Sequence, residues 1–547
     1  MKLIIMSKEN INHYHLAKQP KSTIFYYFSM IVLVCIIASC DRPNVKLEAA
    51  VSQKIIPVLI SKENNVVMRI RINIEEDKES VLQRIKFSTQ GVTDLQDIET
   101  VGVYYTGQSD VFSDHVLFGN LQSGVTTYSF KSEQTLKTGN NYFWLSVKLK
   151  QDAGILNKIG FRCTEVKVND ASIMPVDSTS GLLRIGHALR DKGQDGSEAF
   201  RIPGLITTSK GTLVAVYDIR WRNADDLQND IDIGINRSTD KGQTWLHMQK
   251  AMDMGEWGGL PQEQNWIGDP CILIDEKTGR LWIAALWGYG GVPGRGPKIY
   301  YTQFSGPGIS PVETGQFMLV YSDDDGLTWS DPINITSQVK KPEWNICFQG
   351  PGMGITMKDG TLVFPAQFKD KDNMNYSTII SSQDHGQTWQ VGTGACAETN
   401  EAQVAEIEPG VLMLNMRINR GGSRAVSISR DLGKTWEVHP SSHSALRDPA
   451  CMASLIKVDA ARNIIGKDIL LFSNPNRGDR GRSNMTIKAS FDGGLTWPEQ
   501  NQLLLDEGNG WGYSCLTMID SETVGIFYEG SGAQICFQAI LLKEIVK

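Results

Sequence analysis

One eight-residue pattern, Ser-x-Asp-x-Gly-x-Thr-Trp, is written five times into this chain and constrains its fold more than any other feature. The copies begin at Ser238, Ser322, Ser382, Ser429 and Ser490 and end at Trp245, Trp329, Trp389, Trp436 and Trp497. Ser and Asp side chains bond nearby backbone N–H groups, Gly accepts a positive φ, and Trp lays a large apolar face over the turn. Each copy therefore reads as a turn between strands. Apolar runs such as Leu213–Tyr217 and Val411–Leu414 flank them. Repeats of this length that are mostly strand match four-stranded propeller blades. The region 181–547 is thus expected to be all-β, a six-bladed β-propeller at about 60 residues per blade. Five patterns in six blades leave at least one blade without the turn.

The repeated turn resembles the Asp-box, or BNR repeat, which recurs in several propeller families and speaks for scaffold rather than chemistry. From 45 to 178 the reading is a small β-sandwich. Val66–Ile72, Gly102–Tyr105 and Tyr142–Val147 follow period two between turn residues. That domain carries no catalytic constellation and reads as a structural or a carbohydrate-binding module. The Gly-rich Gly288–Gly291 and Gly294–Gly296 are expected in a long loop, from about Gly255 to Gln316.

Residues 1–40 read as an export signal. Lys8, Lys18 and Lys21 precede an apolar run from Ile24 to Ala38, which ends in Ile37-Ala38-Ser39-Cys40. The run is shorter than the roughly 20 residues of a spanning helix. A Cys directly after small residues resembles a bacterial lipoprotein signal, with Cys40 acylated and the protein exported and held on an envelope membrane surface. Of nine cysteines, Cys35 and Cys40 lie in this leader; the remaining seven show no metal-binding spacing and read as small buried hydrophobes. A net charge of −7 speaks against nucleic acid.

A second set of residues lies outside the turns. Phe200-Arg201-Ile202-Pro203, taken with the Asp-boxes, resembles the signature of sialidases, and the resemblance continues in order from about Gly196 to the C-terminus. It implies an exo-α-sialidase acting on sialylated glycans without a cofactor. Arg201, Arg417 in Leu414-Asn415-Met416-Arg417, and Arg482 in Arg482-Ser483-Asn484 match the family's carboxylate-binding triad. Guanidinium groups grip a carboxylate with paired hydrogen bonds, and sialic acid carries one on its anomeric carbon. Tyr513 in Gly512-Tyr513-Ser514-Cys515 matches the nucleophile, and Glu401 its base, with Glu398 and Glu406 as neighbouring competitors. A neutral phenol escapes the repulsion that a carboxylate nucleophile would meet there, but its pKa near 10 requires a base. Asp226 matches the acid/base, with Asp225 as the alternative; Arg220 and Asp269 match further substrate contacts. Two other outcomes stay open on sequence: transfer or anhydro-product release in place of hydrolysis, and a non-catalytic glycan-binding propeller.

Overall fold

A computed structural model describes residues 47–75, 79–177, 181–289 and 305–547, and residues 46–547 form one compact unit. The leader with Cys40, and the Gly-rich stretch at 290–296, lie outside the described residues. No helix among the described residues is long and apolar enough to cross a membrane.

The three alternating segments of the N-terminal region lie in strands Asn65–Ile74, Ile98–Tyr105 and Gly139–Leu149. They join a five-stranded sheet, and Ser80–Thr89, Thr127–Leu136, Phe161–Val168 and Ala171–Ile173 form a four-stranded one. Alternation decides which side is dry: Ile70, Ile72 and Ile74 are buried while Arg69, Arg71 and Asn73 between them are not. The two sheets share a core that includes Ile70, Phe87, Phe130, Phe143 and Val166.

From Leu183 onward antiparallel pairing links most described strands into sets of four. The first two sets are joined into one nine-stranded sheet where Ile231 pairs with Trp266, and Gly352–Met353, Ile355–Thr356, Cys396–Ala397 and Arg447–Asp448 lie off the sets. Their innermost strands are Ala199–Thr207, Asn265–Ile274, Ile346–Gln349, Thr399–Glu408, Ser454–Val458 and Ser514–Met518. The last set is completed by the first strand of the region. Leu183–Arg190 pairs with Ile535–Leu541, placing His187 opposite Phe537.

The region 255–316 corrects the sequence reading, because it is not one long loop. It holds strands Asn265–Ile274 and Leu281–Tyr289, both buried along nearly their whole length. A strand buried on both faces shows no alternation, so period two could not reveal it.

All five Asp-boxes make the same bonds. In each, the Ser hydroxyl donates to the Asp carboxylate at 2.7–2.9 Å and accepts from the Gly N–H at 2.7–3.0 Å. The Thr N–H and hydroxyl also donate to that carboxylate, at 2.8–3.0 and 2.5–2.7 Å. Each box joins the third strand of its set to the fourth, and its Gly lies against the preceding set. A Cβ on Gly242 would stand 2.3 Å from the Phe537 ring, and one on Gly386 would stand 2.3 Å from Trp282. The turns therefore stitch neighbouring blades together. Six of the seven cysteines outside the leader are buried, and Cys396 is half-buried.

Burial disfavours the Asp324 charge, but bonds from Thr328, Ser322 and Leu327 outweigh it and hold the carboxyl at about 2. A carboxyl depressed on folding stabilises the fold above its unfolded pKa, and that contribution is lost as pH falls from about 4 through about 2. Asp324→Ala should lower unfolding stability by about 1.5–3 kcal/mol, the range for hydrogen bonds to a charged group. Urea unfolding at pH 7 measures this, with the difference from wild type narrowing toward pH 2.

Candidate active site

Inner strands run away from one face of the ring and second strands run back toward it, so the chemistry collects at that face. Arg201, Asp269 and Glu401 stand on inner strands, and Tyr513 immediately precedes one. Arg220 and Arg417 stand on the second strands Leu213–Arg220 and Val411–Ile418. Asp226 and Arg482 lie on loops between second and third strands.

Three inner strands break their ladders where a site residue sits. Pairing shifts between Arg201 and Gly204, between Gly268 and Cys271, and between Thr399 and Ala402. The skipped residues include Ile202, Asp269 and Glu401. Ile202 has φ 62° and Asp269 φ 59°, conformations that a β-branched residue in particular avoids. Bulges re-aim side chains, and strain of this kind persists only where its surroundings enforce it. Here they do: Asp218 Oδ1 accepts the Asp269 N–H at 2.9 Å, and Gln349 Nε2 donates to the Asp269 carbonyl at 2.6 Å.

The catalytic candidates form two connected clusters. In the first, the Tyr513 hydroxyl donates to Glu401, and Arg417 Nη1 donates both to Glu401 and to Tyr513 Oη, the latter at 2.9 Å. Arg482 lies over the Tyr513 ring with its guanidinium carbon 5.7 Å from the centroid, and donates to the carbonyls of Trp511 and Ala450 at 2.9 and 3.0 Å. Glu398 pairs with Arg420, and Glu406 accepts from the N–H groups of Lys358 and Gly410, so Glu401 is the glutamate that reaches the tyrosine.

In the second cluster, Arg220 Nη1 donates to Asp226 Oδ1 at 2.7 Å, and Arg201 Nη1 lies 3.5 Å from the same oxygen. The Arg220 side chain is 1% exposed and that of Asp226 is 58% exposed, so the arginine is a fixed base under a solvent-facing carboxylate. Of the adjacent aspartates, Asp226 is the one the arginines hold. Arg220 also donates to Asp218 Oδ2 at 2.8 Å.

Glu529, absent from the sequence reading, joins the two clusters. Its Oε1 accepts from Arg201 Nε at 2.6 Å and from the Ile202 N–H at 3.0 Å, and its Oε2 accepts the Tyr513 N–H at 3.1 Å. Trp511 completes the support, with its ring 3.9 Å from the Arg201 guanidinium carbon. Nothing around Glu529 in the sequence marked it, since its partner Arg201 lies 328 residues away.

Electrostatics assign protonation states. Burial, then the Glu401 charge, push the Tyr513 phenol well above its ordinary value against Arg417 and Arg482, so it is neutral at physiological pH. Burial opposes the Arg417 charge, but the Glu401 carboxylate outweighs it and holds the cation firmly. Burial, then Asp218, Glu401 and Asp226, push Asp269 well above the carboxylate range, so it tends to keep its proton. The part of Asp226 that is shielded from water would raise its pKa, but Arg220 and Arg201 prevail and hold it below its ordinary value.

A family model described as a BNR repeat-like domain matches residues 202–508, and one described as the N-terminal domain of BNR-repeat neuraminidase matches residues 46–172. The chain is 45% identical over 520 residues to a sialidase of Bacteroides fragilis, covering 90% of this chain and 94% of that one. It is 32% identical to a sialidase of Clostridium perfringens, covering 63% of this chain and 89% of that one. Among solved structures, Hadza microbial sialidase Hz136 is 48% identical with a TM-score of 0.86, over 91% of this chain and 100% of that one.

Proposed function

Because this chain belongs to the BNR-repeat sialidase family, we propose that the central site is where it carries out the family's reaction. The protein is an exo-α-sialidase, a glycoside hydrolase whose substrates are sialylated glycans. The observation that carries the assignment of roles is Tyr513, hydrogen-bonded at once to Glu401 and to Arg417.

Arg201, Arg417 and Arg482 bind the substrate carboxylate, and paired N–H donors fix its orientation. Tyr513 Oη attacks the anomeric carbon while its proton passes to Glu401. A neutral nucleophile beside a bound carboxylate avoids repulsion, and the adjacent base compensates for the high phenol pKa. The bond to the leaving oxygen breaks as Asp226 delivers a proton to it. Water then attacks the tyrosyl intermediate, Asp226 takes up its proton, and the phenolate recovers its own from Glu401. Two displacements on one carbon return the starting configuration, so the enzyme retains.

Asp226 is ionised in the free site, yet the first step needs it protonated. Substrate binding supplies the change. A carboxylate arriving on Arg201 draws off part of the positive field that depresses Asp226 and excludes water, and both effects raise its pKa.

Two variants test these roles. Tyr513→Phe should lose nearly all hydrolysis of a fluorogenic sialoside, and a wild-type rate would remove the tyrosine from the mechanism. Asp226→Asn should slow sialyllactose cleavage by about 10²–10⁴-fold. The same variant should lose far less rate on an aryl sialoside, whose phenolate departs without a proton. Equal losses on both substrates would deny Asp226 the role of acid.

We also propose that Cys40 is acylated and holds the exported enzyme on an envelope membrane. The support is the apolar run ending in Ile37-Ala38-Ser39-Cys40. Expressed in a bacterial host, the wild type should partition into the detergent phase of a Triton X-114 extraction and Cys40→Ser into the aqueous phase.

A further inference from the structure

Two of the three carboxylate-binding arginines trace back to one buried ion pair. Arg482 rests on the carbonyl of Ala450, which has φ 59° in the turn between strands Arg447–Asp448 and Ser454–Val458. The next two residues of that turn, Cys451 and Met452, are buried against Tyr513 and Ile202.

Behind the turn lie Arg424 and Asp448, both fully buried, with Arg424 Nη1 3.2 Å from Asp448 Oδ2. Each also grips the turn. Arg424 Nη1 donates to the Cys451 carbonyl at 2.7 Å, and Asp448 Oδ1 accepts the Cys451 N–H at 3.3 Å. The rest of the Arg424 fork points the other way, donating to Asn415 Oδ1 at 2.7 Å and to the Asn415 carbonyl at 3.1 Å. Asn415 lies two residues before Arg417 on the same strand, and Arg424 stands directly opposite Arg417 in the ladder.

We infer that Arg424 and Asp448 are positioning residues, which set the distance between the Arg417 and Arg482 guanidinium groups and so the fit of the substrate carboxylate. Removing two charges from water is costly, and an apolar pair of similar volume is often at least as stable. Stability alone is therefore a weak reason for this pair. Its bonds instead tie the strained turn on whose carbonyl Arg482 rests to the strand that carries Arg417. A planar fork meets both at once; a lysine ammonium is a point charge and does not.

This inference rests on the reading of Arg482 as a carboxylate ligand. The test is a double-mutant cycle on the full chain with Arg424→Lys, Arg482→Ala and the combination, following KM and kcat for a fluorogenic sialoside well below the unfolding midpoint. Arg424→Lys should raise KM roughly tenfold with a smaller change in kcat, and should add little in the Arg482→Ala background. An unchanged KM in folded Arg424→Lys, or losses that simply add, would overturn the inference. If Arg424→Lys does not fold, Asp448→Asn takes its place in the cycle; failure of both to fold makes the pair a stability element and overturns it as well. Arg482→Ala with a wild-type KM would instead sink the carboxylate reading of Arg482, and this inference with it.

Discussion

The pairing of Leu183–Arg190 with Ile535–Leu541 is the contact on which the rest of the propeller depends. A ring of sheets has no free edge only if its last set is completed by its first strand, so the two ends of this region must meet. That closure explains why the closing set has no Asp-box. The box is a turn from third strand to fourth, and in the closing set those strands lie at opposite ends of the region, so no turn can connect them. Closure also builds the site. It brings Arg201 from the start of the ring against Glu529 from its end, and the same glutamate takes the Tyr513 N–H.

The site that results is a balance of buried charge. Arg201, Arg220, Arg417 and Arg482 face Asp218, Asp226, Asp269, Glu401 and Glu529, and most of these side chains are out of water. Unpaired, any of them would be costly. Paired as they are, they leave one carboxylate facing solvent, a neutral phenol against a carboxylate, and a guanidinium on both. The two clusters divide the work. In the proposed mechanism one arranges a nucleophile with its base, and the other holds an acid at a depressed pKa until a substrate carboxylate changes its surroundings.

How much of this the sequence displayed follows the range of each interaction. The Asp-box bonds span two to four residues, so Ser, Asp, Gly and Thr at fixed spacing are a complete statement of the turn. The eight candidate residues could be nominated because each lies in a short motif resembling a known family. Asp225 and Asp226 could not be separated by motif alone, since the arginine that holds Asp226 comes from the strand before it. Glu529, Asp218 and Arg424 were invisible because their roles are defined only by partners that folding supplies. Pro203 and Pro270, set in apolar runs, were a signal left unread. Proline within a strand pattern marks a bulge, and both follow a residue at positive φ beside the substrate face.

The closing set also shows why a boundary near residue 180 divides the sequence more sharply than it divides the structure. Val58–Ile60, from the N-terminal region, adds in parallel to Leu183–Arg190, with Val58 opposite Ile185 and Ile60 opposite His187. Leu59 is fully buried there, and the Ile55 N–H and carbonyl both bond to Glu507, beside Asp506. Asp506 in turn accepts from the Ser531 N–H at 2.9 Å, two residues after Glu529. An outer strand left bare would present unpaired backbone groups to any passing chain. Here the N-terminal region covers that edge, and it does so on the one set that closes the ring and carries both Tyr513 and Glu529. The sandwich is thus joined to the catalytic face through the strand that completes the propeller.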